Sequence, residues 1–324
     1  MTLYPLKFTP LSKYRIWGGN KLNAVLNKGF NDEIIGESWE ISDVEGDETK
    51  VAEGFLSGKT LKELSQEYKG ELLGNNVYTT FGDKFPLLIK FIDAKTPLSI
   101  QVHPHDPIAK ERHNSFGKNE MWYIMDADDN AEIIVGFNKP LDKKSYSEYL
   151  ENNKVLAVLN KETTKAGDAF NIPTGRVHAI GSGVLLAEIQ QTSDITYRIY
   201  DYNRVDSTTG KERELHNDLA LDVLDFEVQD EYKTTYELES NKSNKLIHTA
   251  YFKSNIIALT ATTKKSYSDI DSFIIYICTK GCFEIAVQDK NYSMSQGETI
   301  LLPASIKDVV LIPKENAEIL EVYY

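Results

Sequence analysis

Two short stretches carry the first chemical signal. Ser99, Gln101 and His103 alternate with Leu98, Ile100 and Val102, and Lys118, Glu120 and Trp122 repeat the same spacing. Side chains two apart on a strand share a face. Because the positions between are apolar, the polar set is expected to line a cavity and not a wet sheet surface. If the two strands pair, an amide oxygen, an imidazole and a carboxylate converge, a donor set suited to a metal of borderline hardness. His178 offers a fourth ligand. It ends the pattern Gly167-x5-Pro173-x-Gly175-x-x-His178, in which a glycine opens a strand, Pro173-Thr174-Gly175 turns tightly, and the histidine starts the next strand.

The elements that must position these groups are mostly strands. Residues 1–57 read as short strands and loops, with Glu37–Ser42 alternating polar and apolar. Leu61, Leu64, Tyr68 and Leu72 have helical spacing over Lys59–Leu73, and Gly74 stops that helix. Pro86–Ile92 is a nearly apolar strand interrupted by Lys90, which either snorkels to an edge or points into the cavity. Asp106-Pro107 opens a short helix with Asp106 as its cap. His105 and His113 flank that helix out of step with His103, so both are expected at the surface. Residues 130–135 form a strand, and 141–159 a helical insertion broken near Asn152-Asn153. An unbroken strand through 184–200 would put Glu188, Gln190, Asp194 and Arg198 on one face, as a pocket wall. A connecting helix over 216–224 precedes an all-strand C-terminal part. There Gly297-x5-Pro303 repeats the spacing of Gly167 and Pro173, but no histidine follows.

Composition sets outer bounds. The chain has 324 residues, 41% hydrophobic and 26% charged, ordinary for a globular protein and long enough for two domains. A net charge of -13 argues against nucleic acid or an anionic membrane as partner. The first residues lack the pattern of a signal peptide, and no apolar run approaches membrane-spanning length. No Gly-x-Gly-x-x-Gly or Walker-type loop is present, so no nucleotide cofactor is expected. Cys278 and Cys282 flank a hairpin turn and are expected as free thiols, with an edge disulfide as the alternative.

The ordered set Trp17-Gly18-Gly19, Ser99-x-Gln101-x-His103-Pro104, Lys118-x-Glu120, Pro173-x-Gly175-x-x-His178 and Ser193-Asp194-x-x-x-Arg198 resembles type I phosphomannose isomerase of the cupin superfamily, in a compact bacterial form. The matches run in order from about residue 15 to residue 204. The resemblance implies a mainly β chain of two cupin (jelly-roll) barrels: residues 1–228 catalytic, with helical insertions, and 229–324 a degenerate barrel without ligands. It implies one zinc ion held by Gln101, His103, Glu120 and His178, and interconversion of mannose 6-phosphate and fructose 6-phosphate through a cis-enediol. Arg198 is similar to the family's active-site arginine, and Asp194 and Glu188 to acidic pocket positions that are candidates for proton transfer. Ser99 and Lys118 match positions that hold the substrate phosphate. Trp17 borders the sugar pocket, and Lys90 is a candidate substrate contact. Larger members carry a histidine before the lysine of Lys118-x-Glu120; Gly117 stands here, so that residue's role does not carry over. The implied partner is a small sugar phosphate, the implied assembly a monomer or weak homodimer, and the implied compartment the cytoplasm. Two other readings stand beside this one. His103, Glu120 and His178 also suit a non-haem iron dioxygenase, although Gln101 as a fourth ligand closes a position oxygen chemistry needs. A non-catalytic sugar-phosphate-binding cupin would normally carry a DNA-binding helix pair and a basic surface, and this chain has neither.

Overall fold

The apolar runs form strands covered on both faces. Leu87–Ala94 and Val184–Gln191 are buried at every position. They pair at the centre of a six-stranded antiparallel sheet ordered Ala169–Ile172, Glu120–Ala127, Val184–Gln191, Leu87–Ala94, Glu37–Ile41, Leu11–Lys13. A five-stranded sheet covers its inner face, ordered Tyr197–Tyr200, Ile100–Val102, His178–Ile180, Glu132–Phe137, Leu159–Thr163. Trp122, Ile124 and Leu186 of the first sheet meet Ile133, Val135 and Ile180 of the second. The computed structural model describes residues 2–32 and 34–324, a mainly β fold with six α-helices among them.

The C-terminal strands repeat this plan. A five-stranded sheet runs Asn244–His248, Lys253–Leu259, Ala317–Tyr323, Ile274–Lys280, Thr299–Leu302, and a four-stranded sheet runs Thr263–Ser266, Asp308–Pro313, Cys282–Val287, Lys290–Ser295. The two glycine-proline motifs occupy corresponding strands: Phe170 lies opposite Trp122, and Ile300 opposite Tyr276. Gly167 and Gly297 open these strands at φ +92° and +84°, where a side chain would be strained. After Pro303 the pathways diverge. The N–H groups of Ala304 and Ser305 donate to the carbonyls of Leu72 and Glu71 at 2.9 and 3.0 Å. That turn docks the helix Leu61–Leu73 instead of delivering a histidine. Among the described residues the strand orders are open, so the sheets are paired and none closes on itself.

The outer face of the six-stranded sheet packs against the C-terminal five-stranded sheet. Phe91, Met121, Tyr123 and Ile189 share a cluster with Ile275, Ile277, Leu320 and Val322, and with Leu61, Leu64 and Leu72 of the helix. Each such fully buried side chain contributes about 2 kcal/mol. Tyr123 also donates its hydroxyl to Glu318 Oε1 at 2.5 Å.

Several local expectations need correction. The unbroken strand through 184–200 does not form: Val184–Gln191 ends in a bend, and Tyr197–Tyr200 lies in the facing sheet. Asp106 sits inside its helix, which spans Asp106–His113, with His105 at the cap position. Its Oδ1 accepts instead from Gly117 N and Gln191 Nε2, at 2.7 and 3.0 Å. The helical insertion is Lys143–Glu151, then a 3-10 turn Val155–Val158, then the strand from Leu159. The helix Asn75–Phe81 was not foreseen, because it buries only Val77 and shows no apolar period. Thr60 caps Leu61–Leu73 through a reciprocal box with Glu63. Both cysteines are free, and burial pushes the Cys278 thiol up to about 12. No described helix is long and apolar enough to cross a membrane.

The C-terminal sheets enclose a polar network. Glu321 accepts from Tyr267 Oη at 2.6 Å, Ser243 Oγ at 2.5 Å and Asn255 Nδ2 at 2.8 Å, and pairs with Lys265 Nζ at 3.0 Å. Burial pushes its pKa up, but Lys265 and these donors outweigh burial and hold it below the usual carboxylate range. Glu321→Ala strands the ammonium and the phenols, and is expected to cost about 3 kcal/mol in urea unfolding. The double change Lys265→Met with Glu321→Leu should recover most of that loss.

Candidate metal centre and substrate cavity

His103 follows the strand Ile100–Val102, Glu120 starts Glu120–Ala127, and His178 starts His178–Ile180. Pairing aligns them. His178 lies opposite Gln101, Arg198 lies opposite Gln101 on the other side, and Glu120 lies opposite Gln190 and Ile172 on the facing sheet. Gly175 makes the turn possible: its φ is +86°, and a Cβ there would meet the Val223 carbonyl at 2.8 Å.

One ligand-type atom from each of His103, Glu120 and His178 lies within 4.8 Å of the others, and all three residues are buried. Nε2 of His103 and Nε2 of His178 are 3.1 Å apart. Nδ1 of His103 faces the Ile195 carbonyl at 2.9 Å, and Nδ1 of His178 the Arg176 carbonyl at 2.8 Å. A carbonyl only accepts, so both Nδ1 atoms carry the hydrogen and both Nε2 atoms present lone pairs inward. Glu120 Oε1 is buried without a hydrogen-bond donor. Three acceptors thus converge on one point, with only the Lys118 ammonium, 3.1 Å from His103 Nε2 and paired with Glu120, to offset their repulsion. The Gln101 carboxamide ends 3.3 Å from His178 Nε2, and a half-turn of that amide offers an oxygen to the same point. These residues fit a divalent cation, and the carbonyls behind the imidazoles are the orienting contacts such sites use.

Electrostatics agree. Burial lowers the His103 pKa to about 4, with Lys118 adding to the effect and Glu120 opposing it. Burial also lowers that of His178. Burial raises that of Glu120, but Lys118 and the imidazoles outweigh it and hold the carboxyl well below its ordinary value. The floor therefore offers two neutral imidazoles and an ionised carboxylate at neutral pH.

Above this floor lies a cavity of about 450 Å³. Trp17, Lys90, Ser99, Gln101, Lys118, Glu188, Asp194 and Arg198 all line it. Lys90 points inward, 3.0 Å from Glu188, so the snorkelling alternative falls away. Glu188 Oε2 accepts from Trp122 Nε1 at 2.8 Å, and its Oε1 faces Lys90 and, at 3.7 Å, Lys118. Burial lowers the Lys90 pKa, but Glu188 and Glu37 outweigh it and raise the net value. Asp194 stands exposed on the crossover between the sheets. Gln190 is buried but binds the crossover itself, donating to the carbonyls of Gln191 and Ser193 at 2.8 and 2.5 Å. His105 and His113 are exposed.

Sequence reasoning missed Arg15, Glu37, Trp39 and Arg213, which also line the cavity. Glu37 accepts from Arg15 Nη2 at 2.9 Å and Trp39 Nε1 at 2.7 Å. Burial raises its pKa, but Lys90 and Arg15 outweigh burial and bring it to about 2. The signal was available, because Glu37-x-Trp39 has the same two-residue step as Ser99-x-Gln101. Arg213 had none, since it reaches the cavity from an irregular segment beyond a hairpin.

Fold and floor together define a mainly β protein with a buried two-histidine, one-carboxylate centre beneath a polar cavity. Residues 6–148 match the family model "Phosphomannose isomerase type I, catalytic domain". The mannose-6-phosphate isomerase ManA of Bacillus subtilis (strain 168) is 35% identical over 314 residues, 96% of each chain. The mannose-6-phosphate isomerase of Streptococcus mutans is 33% identical over 294 residues, 90% of each. A crystal structure of the mannose 6-phosphate isomerase from Bacillus subtilis superposes with a TM-score of 0.90 at 32% identity, covering 99% of this chain and 100% of that one. The chain belongs to the type I phosphomannose isomerase family.

The depressed imidazoles give the metal-free protein a pH-dependent stability. Unfolded histidine titrates near 6.5, while folded His103 takes its proton only near 4. As pH falls through that window the unfolded chain gains a proton that the folded chain does not, so stability is lost, by up to about 3 kcal/mol for this group. Urea midpoints between pH 7.5 and 4.5 should show the decline, and His103→Gln should flatten it.

Proposed function

We propose that this chain is a mannose-6-phosphate isomerase that interconverts mannose 6-phosphate and fructose 6-phosphate through a cis-enediol, with zinc as its ion. The observation that carries the proposal is relatedness to named mannose-6-phosphate isomerases over nearly the full length of both chains. The cavity supports it: a small, polar, charge-lined space above a metal-type donor set. We take the paired sheets as two cupin barrels, residues 1–228 catalytic and 229–324 without ligands, in a cytoplasmic protein that acts as a monomer or weak homodimer.

Gln101, His103, Glu120 and His178 would hold the ion. Two imidazoles, a carboxylate and an amide suit zinc, which is redox-inert. Bound there, it supplies Lewis acidity for negative charge developing on the two sugar oxygens of an enediol. Glu188 is our candidate to move the proton between neighbouring carbons: it is buried beside the floor, and its Oε1 has no hydrogen bond of good geometry. Asp194, exposed on the crossover, is the second candidate. Lys90, kept charged by two carboxylates, serves as a donor and not as the base. Lys118 is held against Glu120 and Glu188, which suits the reacting end more than the phosphate; Ser99 and Trp17 remain with the sugar and its phosphate. Arg198 is permanently charged and hydrogen-bonds or polarises the substrate oxygens.

The dioxygenase alternative shares the two histidines and the carboxylate, and no observation favours it. A coupled assay for fructose 6-phosphate, run before and after chelation, tests the proposal: activity should disappear with the metal and return on adding zinc. Arg198→Ala is expected to cut kcat about 100-fold while bound metal stays constant. Glu120→Ala should lower both metal content and rate, measured on the same preparation.

A further inference from the structure

We propose that Arg213, latched by the buried carboxylate of Asp201, is the phosphate-selecting cation of the cavity; the inference rests on the proposed sugar-phosphate substrate. Arg213 lines the cavity. Its Nε and Nη2 donate to Asp201 Oδ2 and Oδ1 at 2.8 and 2.6 Å, a two-pronged geometry that fixes the guanidinium plane. Among the described residues Nη1 of Arg213 has no hydrogen-bond partner. Asp201 is buried and also accepts from Arg204 Nη2 at 2.5 Å. Arg204 is used up structurally, since its Nη1 donates to the Pro97 carbonyl at 2.6 Å.

Arg198 lies alongside. Its Nη1 donates to the carbonyl of Glu214, the residue after Arg213, at 2.9 Å, and its Nε is buried without a partner. Two guanidiniums, of Arg204 and Arg213, therefore share the buried Asp201 carboxylate, and a third, of Arg198, lies beside them without a carboxylate partner. Asp206 also lines the cavity, but it makes no ion pair with these arginines; its carboxylate accepts from Thr208 N and Oγ1 at 2.8 and 2.6 Å. Asp194 is on the exposed crossover. The cavity's other cations are matched: Arg15 by Glu37, Lys90 by Glu188, and Lys118 by Glu120. An anion entering the cavity finds guanidinium N–H groups without a carboxylate partner at Arg198 and at Nη1 of Arg213. A phosphate dianion has the charge and the oxygens to use a fixed guanidinium. Asp201 acts through Arg213 and is a positioning residue.

The test compares wild type with Arg213→Ala, Arg213→Lys, Asp201→Asn and Asp201→Glu as metal-loaded full-length protein. Isomerase kinetics are read with mannose 6-phosphate, and binding of inorganic phosphate by calorimetry. In Arg213→Ala, KM and the phosphate Kd should both rise about tenfold or more, with kcat within about threefold and metal content unchanged. Arg213→Lys should recover part of the loss, since charge remains while the fork is gone. Asp201→Asn should shift KM and Kd the same way, and Asp201→Glu should restore them in part. Unchanged KM and phosphate Kd in Arg213→Ala, or a loss confined to kcat, overturns the assignment. If wild type does not isomerise mannose 6-phosphate, the proposed function fails, and phosphate binding alone still decides the role of Arg213. If Arg213→Ala does not fold, as judged by thermal melting, Arg213→Lys decides through the same two constants.

Discussion

A sheet with no wet side governs this structure. The six-stranded sheet is covered by one sheet within and another without, so every polar group on it must find a partner inside the protein or create a site. Its outer face meets the constraint mostly by apolar packing, with Met121, Tyr123 and Ile189 in the inter-sheet core and a buried Lys28–Glu40 pair near its edge. Its inner face meets it with charge. Glu37, Lys90, Glu120 and Glu188 are all buried there, and each is paired or aimed at the floor. A strand such as Leu87–Ala94 therefore carries a lysine without becoming a surface strand. The alternation that ordinarily separates core from solvent here separates core from cavity.

The two halves meet the same constraint with different residues. In the N-terminal sheet, one cross-strand row reads Phe170, Trp122, Glu188, Lys90, Trp39. The corresponding C-terminal row reads Ile300, Tyr276, Glu321, Asn255, Lys245. A buried glutamate stands at the same place in both, with an aromatic donor neighbour on one strand or the next. On the facing sheets, His178 lies opposite Gln101, and the residue at its spacing from the second proline, Asp308, lies opposite Ser266. Lys265 closes directly onto Glu321, with Tyr267 and Ser243 filling the remaining acceptor positions. One half has this carboxylate saturated; the other leaves Oε1 of its counterpart Glu188 without a hydrogen bond of good geometry. Saturation makes a structural plug, and incompleteness leaves a cavity wall with a free acceptor.

This division explains what could be read from the sequence. The two-residue steps at Ser99–His103 and Lys118–Trp122 and the turn before His178 are local, so they survive without tertiary knowledge; the floor was legible for that reason. The duplicated Gly-x5-Pro was legible too, because a positive φ before a strand demands glycine. The crossover at 192–196 was not, since Gln190 has the spacing of a pocket-wall residue but turns its amide onto the carbonyls of Gln191 and Ser193. The helix Asn75–Phe81 was hidden by a polar sequence that buries one valine. Arg213 was hidden because its position depends on Asp201, twelve residues earlier, across a hairpin whose strands are two residues long.

Charge order along the cavity has one more consequence. Arg15, Glu37, Lys90, Glu188, Lys118 and Glu120 alternate in sign from the mouth to the floor, paired at 2.9 Å in Arg15–Glu37, 3.0 Å in Lys90–Glu188 and 3.7 Å in Glu188–Lys118, with Lys118 also paired to Glu120 and with Glu37 and Lys90 coupled by charge alone. Such a chain is neutral as a whole, and within it the opposite charges outweigh burial at Glu37, Lys90 and Glu120 and keep those three ionised. Neutrality also means that these lysines have little net attraction to spare for a dianion. On the proposed function, long-range attraction for an anionic sugar would come from charge outside the chain: a cation held at the histidine floor and the guanidinium group beside Asp201. The cavity thus separates two tasks that a single cluster of lysines would confuse. The alternating chain fixes protonation states, and the unbalanced charges at its two flanks choose the substrate.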